Sequence, residues 1–90
     1  MMNYETITEA VDTALANFNG GDDFDGVTVT LVADRIAAYI NEAGDDLVLD
    51  NTFDEMIEGT STYVQTDLDE FELAAYVTEM TAQLEDYGVV

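Results

Sequence analysis

The chain lacks cysteine, histidine, lysine, proline and tryptophan, and its only basic side chain is that of Arg35. Without cysteine, the chain forms no disulfide and performs no thiol chemistry. Histidine, cysteine and lysine supply most general bases and nucleophiles, and histidine and cysteine are the usual zinc ligands. We therefore expect a protein that is not an enzyme and that holds no cofactor and no metal.

Long apolar runs are missing as well. No stretch approaches the ~18 apolar residues that a membrane-spanning helix requires. The first ten residues, MMNYETITEA, lack the basic and apolar regions of a signal peptide. The sequence thus predicts a soluble cytoplasmic protein, found in the host cytoplasm if a phage encodes it. Because there is no basic face, we expect binding to neither nucleic acid nor anionic membranes.

Acidic residues dominate what is present. The 90 residues include 21 aspartates and glutamates, the net charge is −20, and 48% of the residues are hydrophobic. This apolar content exceeds that of a disordered acidic tail and predicts one folded domain over residues 1–90. Charge of a single sign repels itself and destabilises a compact state. Any partner of the chain is therefore expected to be basic.

The stretch NGGDDFDGVTVTLV, residues 19–32, has some features of a calcium-binding loop. With Gly26 at the glycine position of an EF-hand loop, Asp23 and Asp25 fill ligand positions 3 and 5. Glycine and two valines then occupy positions 1, 9 and 12, where oxygen ligands are needed. The sequence therefore favours a solvated turn here, with no metal site.

The segment from Tyr4 to Phe18 has the periodicity of an amphipathic helix. The sequence Asn19-Gly20-Gly21 ends it in the manner of a glycine stop. Its predicted apolar stripe consists of Ile7, Val11, Ala14, Leu15 and Phe18. Its acids lie on another face at Glu5, Glu9 and Asp12.

The segment from Thr28 to Ala43 is ambiguous at its start. Residues 27–32, VTVTLV, alternate as a strand does, whereas residues 31–44, LVADRIAAYINEAG, are helical up to Gly44. We favour a helix from about residue 30, with Thr28 or Thr30 as its cap. The predicted apolar stripe consists of Val29, Val32, Ala33, Ile36, Ala37 and Ile40.

A third helix is predicted after a connection at residues 45–51. Residues 52–55, TFDE, match a Thr-x-x-Glu capping box. The apolar residues that follow at helical spacing are Phe53, Met56, Ile57, Tyr63 and Val64.

The clearest helix is predicted over residues 67–87, ending at Gly88. One apolar stripe contains Leu73, Val77, Met80, Leu84 and Tyr87, and a second group contains Leu68, Phe71, Ala75 and Ala82. Both need burial, one of them against the core and the other against a neighbouring helix or, in a homodimer, against a second subunit. Together the segments predict an all-α fold, a small bundle of three to four helices. The alternative is an α+β fold with one short strand or hairpin around residues 27–32 and 46–50.

One face of this last helix is expected to be acidic. At ~100° per residue, one sector contains Asp69, Glu72, Tyr76, Glu79, Gln83 and Asp86. Solvated helix faces usually mix charges, because a Glu–Lys pair stabilises a helix and a like-charge pair destabilises it. Duplex DNA carries one negative charge per ~1.7 Å, so about 20 charges match roughly 34 Å of duplex. A helix of this length would extend roughly 30 Å.

Two stretches carry a family resemblance: VADRIAAYINEAGDDL at 32–47 and DLDEFELAAYVTEMTAQLEDY at 67–87. In layout and acidity they resemble the phage antirestriction DNA mimics of the Ocr type, and small acidic anti-CRISPR proteins are similar at the same level. The resemblance implies an all-helical, acidic dimer of a length close to that of B-DNA. It also implies that the chain blocks the DNA groove of a restriction-modification or CRISPR enzyme of the host.

The leading hypothesis is therefore a DNA mimic that inhibits a bacterial defence enzyme, with carboxylates in place of phosphates. The expected partner-binding residues are Glu5, Glu9, Asp12, Asp22, Asp23, Asp25, Asp45, Asp46, Asp69, Glu72, Glu79 and Asp86. The alternatives are a halophilic domain and an acidic adaptor that binds a basic protein other than an enzyme.

Overall fold

A computed structural model describes residues 3–21 and 24–90. The helices are α1 (Tyr4–Phe18), α2 (Gly26–Ala43), α3 (Asn51–Thr60) and α4 (Glu70–Asp86), with 3-10 turns at Gly44–Asp46 and Ser61–Tyr63. The predicted all-α bundle is confirmed. The α+β alternative is wrong, because residues 27–32 lie inside α2 and residues 46–50 form no strand.

The four helices surround one apolar core. Helix α1 packs against α2 and α4, and α3 packs against the same two helices. Each helix contributes at least three buried side chains to the core. The resulting body measures 33 × 25 × 20 Å along its principal axes.

Helix α1 has the predicted bounds. The side chain of Asn3 caps it by accepting a hydrogen bond from a backbone N–H of the first turn at 2.9 Å. At its end, Gly20 and Gly21 have φ values of 71° and 96°, and the N–H of Gly21 donates to the carbonyl of Ala16 at 2.7 Å. These positive φ values favour glycine, which explains the stop.

Helix α2 starts earlier than predicted. Its first residue is Gly26 and its N-cap is Asp25, so Thr28 and Thr30 lie within the helix and cap nothing. The hydroxyl of Thr30 donates to the carbonyl of Gly26 at 2.9 Å, a bond that the helical backbone makes available. Burial overrides the strand propensity of this stretch, since the entire predicted stripe is buried: Val29, Val32, Ala33, Ile36, Ala37 and Ile40.

The predicted capping box of α3 is wrong. The cap is Asp50, whose carboxylate accepts the N–H groups of Thr52 at 3.0 Å and Phe53 at 3.2 Å. Aspartate is as good a cap as threonine, and here it stands one residue before the helix, which places Thr52 inside the first turn. The helix ends at Thr60, so Tyr63 and Val64 do not extend its stripe.

Helix α4 begins at residue 70 instead of 67, because a capping box fixes its start. The Asp69 carboxylate accepts the N–H of Glu72 at 2.8 Å, and the Glu72 carboxylate accepts the N–H of Asp69 at 3.3 Å. The two side chains therefore satisfy each other's backbone donors. Both residues were expected to face a partner, and both also determine where the helix begins.

The acidic sector predicted for α4 is not continuous. Tyr76, placed in that sector by its spacing, is only 1% exposed, and it forms the core stripe with Met80 and Leu84. Its ring packs edge-on against Phe18 with the ring centres 5.4 Å apart. Tyrosine combines a large apolar ring with a polar hydroxyl, so the sequence pattern alone does not decide which environment it occupies.

The second apolar group of α4 is for the most part not buried against a neighbouring helix of the same chain, so that alternative is wrong for these residues, whereas burial in a homodimer stays a prediction. Phe71, Ala75 and Ala82 are exposed, and Leu68 is half-buried. The core needs only one side of α4, and that side is occupied by Tyr76 and its neighbours.

A hydrogen-bonded chain of three groups crosses the core. The Thr60 hydroxyl lies 2.6 Å from the Ile57 carbonyl and 2.6 Å from the Tyr76 hydroxyl. Because Thr60 donates its one proton to the carbonyl, the Tyr76 hydroxyl must donate to Thr60. These two hydrogen bonds link the end of α3 to the middle of α4, and they give both buried hydroxyls a partner.

Removing the two hydroxyls should have unequal effects on stability. We expect Thr60→Val to lower the free energy of unfolding by about 1–3 kcal/mol, because it leaves the Tyr76 hydroxyl buried without a partner. Tyr76→Phe removes the buried hydroxyl itself, so no polar group is left without a partner, and it should lower the free energy of unfolding by only about 0.5–1.5 kcal/mol. Urea denaturation followed by circular dichroism measures both values. The double variant should be less destabilised than the sum of the two, and strict additivity would contradict the hydrogen-bonded chain.

Alkaline pH should also destabilise the fold. Burial raises the pKa of Tyr76 from its ordinary value of 10.0 to about 12. The unfolded chain releases this proton near pH 10, whereas the folded chain keeps it, so stability is fully present below pH 10 and falls as pH rises towards 12. The loss should be roughly 2–3 kcal/mol. Urea midpoints between pH 8 and pH 12 should fall more steeply in the natural chain than in Tyr76→Phe, and parallel curves would contradict the assignment.

Candidate partner-binding surface

The carboxylates lie on the outside of the bundle. Every aspartate and glutamate in the part of the chain that the structure describes is exposed, except Glu79, which is half-buried. This follows from the helix periodicity, because the core takes one stripe of each helix and the acids stand on the remaining faces. No described carboxylate is buried in the core, so nearly the whole negative charge faces solvent.

The predicted site residues are distributed over several elements. Glu5, Glu9 and Asp12 lie on the outer face of α1, one helical turn or two apart, as predicted. The remaining described members are Asp25 at the N-cap of α2, Asp45 and Asp46 on the first 3-10 turn, and Asp69, Glu72, Glu79 and Asp86 on or next to α4. Asp22 and Asp23 lie outside the described residues.

Further acids occupy the same kind of position but were not singled out from the sequence. They are Asp34, Glu42, Asp50, Asp54, Glu55, Glu58, Asp67, Glu70 and Glu85, all of them exposed. Three of them stand together on α3, where the helical pattern already marked Phe53 and Met56 as inward. The periodicity of α3 therefore already indicated that these three acids face outward. The negative surface extends over all four helices.

Some of these carboxylates have local hydrogen-bonding partners. The Gln83 side chain donates to a carboxylate oxygen of Glu79 at 3.0 Å, one turn apart on α4. The Tyr4 hydroxyl donates to Asp34 at 2.5 Å, which joins the outer faces of α1 and α2. The hydrogen bond to Asp34 raises the pKa of Tyr4 above its ordinary value of 10.0.

Little positive charge offsets this surface. The single basic residue, Arg35, is exposed on α2, and none of the four described helices has a basic residue in its last turn. Glu85 and Asp86 stand at the C-terminal end of α4, where the helix dipole disfavours acids. These two acids therefore weaken the C-terminal end of α4.

The structure offers little to other kinds of site. Within residues 3–21 and 24–90, no group of three or more acids is arranged to hold a metal ion. The calcium-like stretch contributes Asp25 as the residue before α2, and its other two aspartates belong to the undescribed positions. None of the described helices is both long and apolar enough to cross a membrane.

Comparisons of the chain with protein-family models, with curated proteins and with solved structures found no match. The resemblance to antirestriction mimics therefore stays a prediction from residue pattern and acidity.

Salt should stabilise the protein without being required for folding. The core is complete and the charges are exposed, so we expect a helical circular dichroism spectrum even in ~10 mM buffer, where the Debye length is ~30 Å. The unfolding temperature should rise as NaCl is added to ~0.5 M, because screening weakens the repulsion between carboxylates. The control is the triple variant Asp54→Asn, Glu55→Gln and Glu58→Gln, which has three fewer charges to screen and whose unfolding temperature should rise less with salt. A chain unfolded in dilute buffer and folded only in molar salt would favour the halophilic alternative.

Proposed function

We propose that the protein is a DNA mimic that occupies the DNA-binding cleft of a bacterial defence enzyme, either a restriction-modification or a CRISPR effector. The observation that supports this best is the match of charge to length. The body is 33 Å long and the chain carries a net charge of −20. A DNA duplex of that length carries about 19 phosphate charges.

The rigidity of the bundle should favour binding of its carboxylates to a basic cleft. A flexible acidic tail would lose conformational entropy on binding, whereas a packed helical bundle holds its carboxylates in place beforehand. Capping interactions at Asn3, Asp50 and the Asp69–Glu72 pair fix the starts of three helices. The acids of α1, α3 and α4 are therefore presented on a scaffold with defined spacing.

The basic cleft of a DNA-binding enzyme supplies the driving force. Lysine and arginine side chains that bind phosphates release condensed counterions, and this release accounts for much of the affinity for DNA. An array of carboxylates recruits its own counterions and competes for the same side chains. Since acids stand on all four helices, a cleft that encloses a duplex from two sides meets carboxylates from more than one helix.

Competition with DNA tests the proposal. In a fluorescence-anisotropy assay with labelled duplex DNA and a purified type I restriction-modification enzyme or CRISPR effector, we expect the protein to displace the DNA. The apparent dissociation constant of the DNA should rise in proportion to the protein concentration, and the inhibition should weaken steeply with added salt. A neutral protein of similar size is the negative control. No displacement at low salt from any defence enzyme tested would contradict the proposal.

Charge-neutralised variants locate the binding face. Glu5→Gln, Glu9→Gln and Asp12→Asn together remove three charges from α1, and we expect them to weaken inhibition by about tenfold or more. The matched control removes three charges from α3, through Asp54→Asn, Glu55→Gln and Glu58→Gln, and should have a smaller effect because none of these acids is among the predicted partner-binding residues. Equal losses would show that only the net charge matters. Capture of a basic protein that is not an enzyme, with no displacement of DNA, would favour the adaptor alternative.

A further inference from the structure

An open cleft of about 540 Å³ lies between the C-terminal end of α1 and the first half of α4. Three phenylalanines line it: Phe18 from α1, Phe24 from the segment before α2, and Phe71 from α4. Phe18 and Phe24 are half-buried against the core, whereas Phe71 is 86% exposed. The cleft is therefore lined by two half-buried phenylalanine rings and by one ring that is exposed to solvent.

The exposure of Phe71 is unusual for its residue type, since phenylalanine is among the residues most often fully buried. Neither of the two aromatic pairs found in the described chain includes its ring. The capping box directly beside it, formed by Asp69 and Glu72, fixes the start of the helix and thus the position of Phe71. An aromatic ring held in water on a fixed helix is available for contact with a partner.

Two carboxylates also line this cleft. Glu72 and Glu79 line it from α4, two helical turns apart. One oxygen of Glu72 accepts the N–H of Asp69, and one oxygen of Glu79 accepts from Gln83. Among the described residues, the second oxygen of each carboxylate accepts no hydrogen bond, which leaves it available to a donor from outside.

We propose that this cleft binds an arginine side chain of a basic protein partner. A guanidinium group is planar, weakly hydrated and stacks on aromatic faces, and its N–H groups match carboxylate oxygens. Lysine has a compact and strongly hydrated charge, so it gains less from the phenylalanine rings. The inference rests on the proposed function, because it assumes that the partner is a basic protein.

The other kinds of occupant fit the cleft less well. An anionic ligand would meet Glu72 and Glu79 within a chain of net charge −20. A second copy of the chain brings the same negative charge and only one arginine, Arg35. A neutral apolar segment would desolvate both carboxylates without replacing their hydrogen bonds to water.

Such a site would add selectivity to a surface that otherwise attracts any basic protein. The contacts between exposed carboxylates and basic side chains weaken as salt screens them. Stacking of a guanidinium on Phe71 depends on close contact and is less sensitive to ionic strength. A partner with an arginine at the right place in its cleft would therefore be retained at salt concentrations that release other basic proteins.

Binding of short peptides tests the proposal on the natural chain. Fluorescently labelled tetra-arginine, tetra-lysine and tetra-citrulline are titrated with the protein at ~0.15 M NaCl. We expect tetra-arginine to bind more tightly than tetra-lysine although both carry the same charge. The largest backbone amide shifts in ¹H–¹⁵N spectra should occur at Phe24, Phe71 and Ala75. Equal affinity for the two charged peptides, or shifts spread evenly over the acidic surface, would overturn the proposal.

Matched variants sharpen the result. Phe71→Ala should weaken tetra-arginine binding by about 3- to 10-fold, whereas Tyr63→Ala, which removes an exposed ring outside the cleft, should change it by less than about twofold. Glu79→Gln should weaken binding more than Glu58→Gln, although each removes one charge. Equal effects of Phe71→Ala and Tyr63→Ala, or of Glu79→Gln and Glu58→Gln, would overturn the proposal. It would also be overturned if Phe71→Ala weakened the binding of uncharged tetra-citrulline as much as that of tetra-arginine. Because no DNA-binding enzyme is present, failure here is distinguishable from failure of the displacement assay.

Discussion

Repulsion among carboxylates is the constraint on which the rest of the structure depends. A chain with a net charge of −20 folds only if apolar burial exceeds that repulsion, and the bundle meets this condition with a core drawn from all four helices. Every described acid stays outside the core, where water and counterions reduce its cost. The chain folds because its apolar side chains are buried together, and the same separation places its acids on the outside, where they form the negatively charged surface.

The acids also help to build the scaffold that carries them. Asp50 and Asp69 cap two helices, and Glu72 completes a capping box, because carboxylates suit the positive end of a helix. At the other end the same residue types are unfavourable, and Glu85 and Asp86 stand there without a basic neighbour in the turn. Helix stability therefore explains the first group of acids and does not explain the second.

Two levels of recognition are combined in the proposals. In the proposed function, the carboxylates on all four helices attract a basic cleft at long range, and the net charge of −20 on a body 33 Å long is close to that of a duplex of the same length. In the second proposal, the cleft beside Phe71 binds an arginine side chain through a contact that acts only at short range and favours arginine over lysine. Attraction of the first kind governs how fast partners meet, whereas contacts of the second kind govern how long they stay together.

The sequence by itself favoured the helical class and determined the bounds of α1, the buried stripe of α2 and the exposure of nearly all the acids. Each of these follows from residue type and from a period of 3.6 residues, which depend on nearest neighbours along the chain. Tertiary structure alone decided that Tyr76 is buried and Phe71 is not. The choice depends on which side of α4 meets Phe18 and on a hydroxyl partner at Thr60, 16 residues away. Periodicity identifies the faces of a helix, but only packing against other helices determines which face is buried and which remains available to a partner.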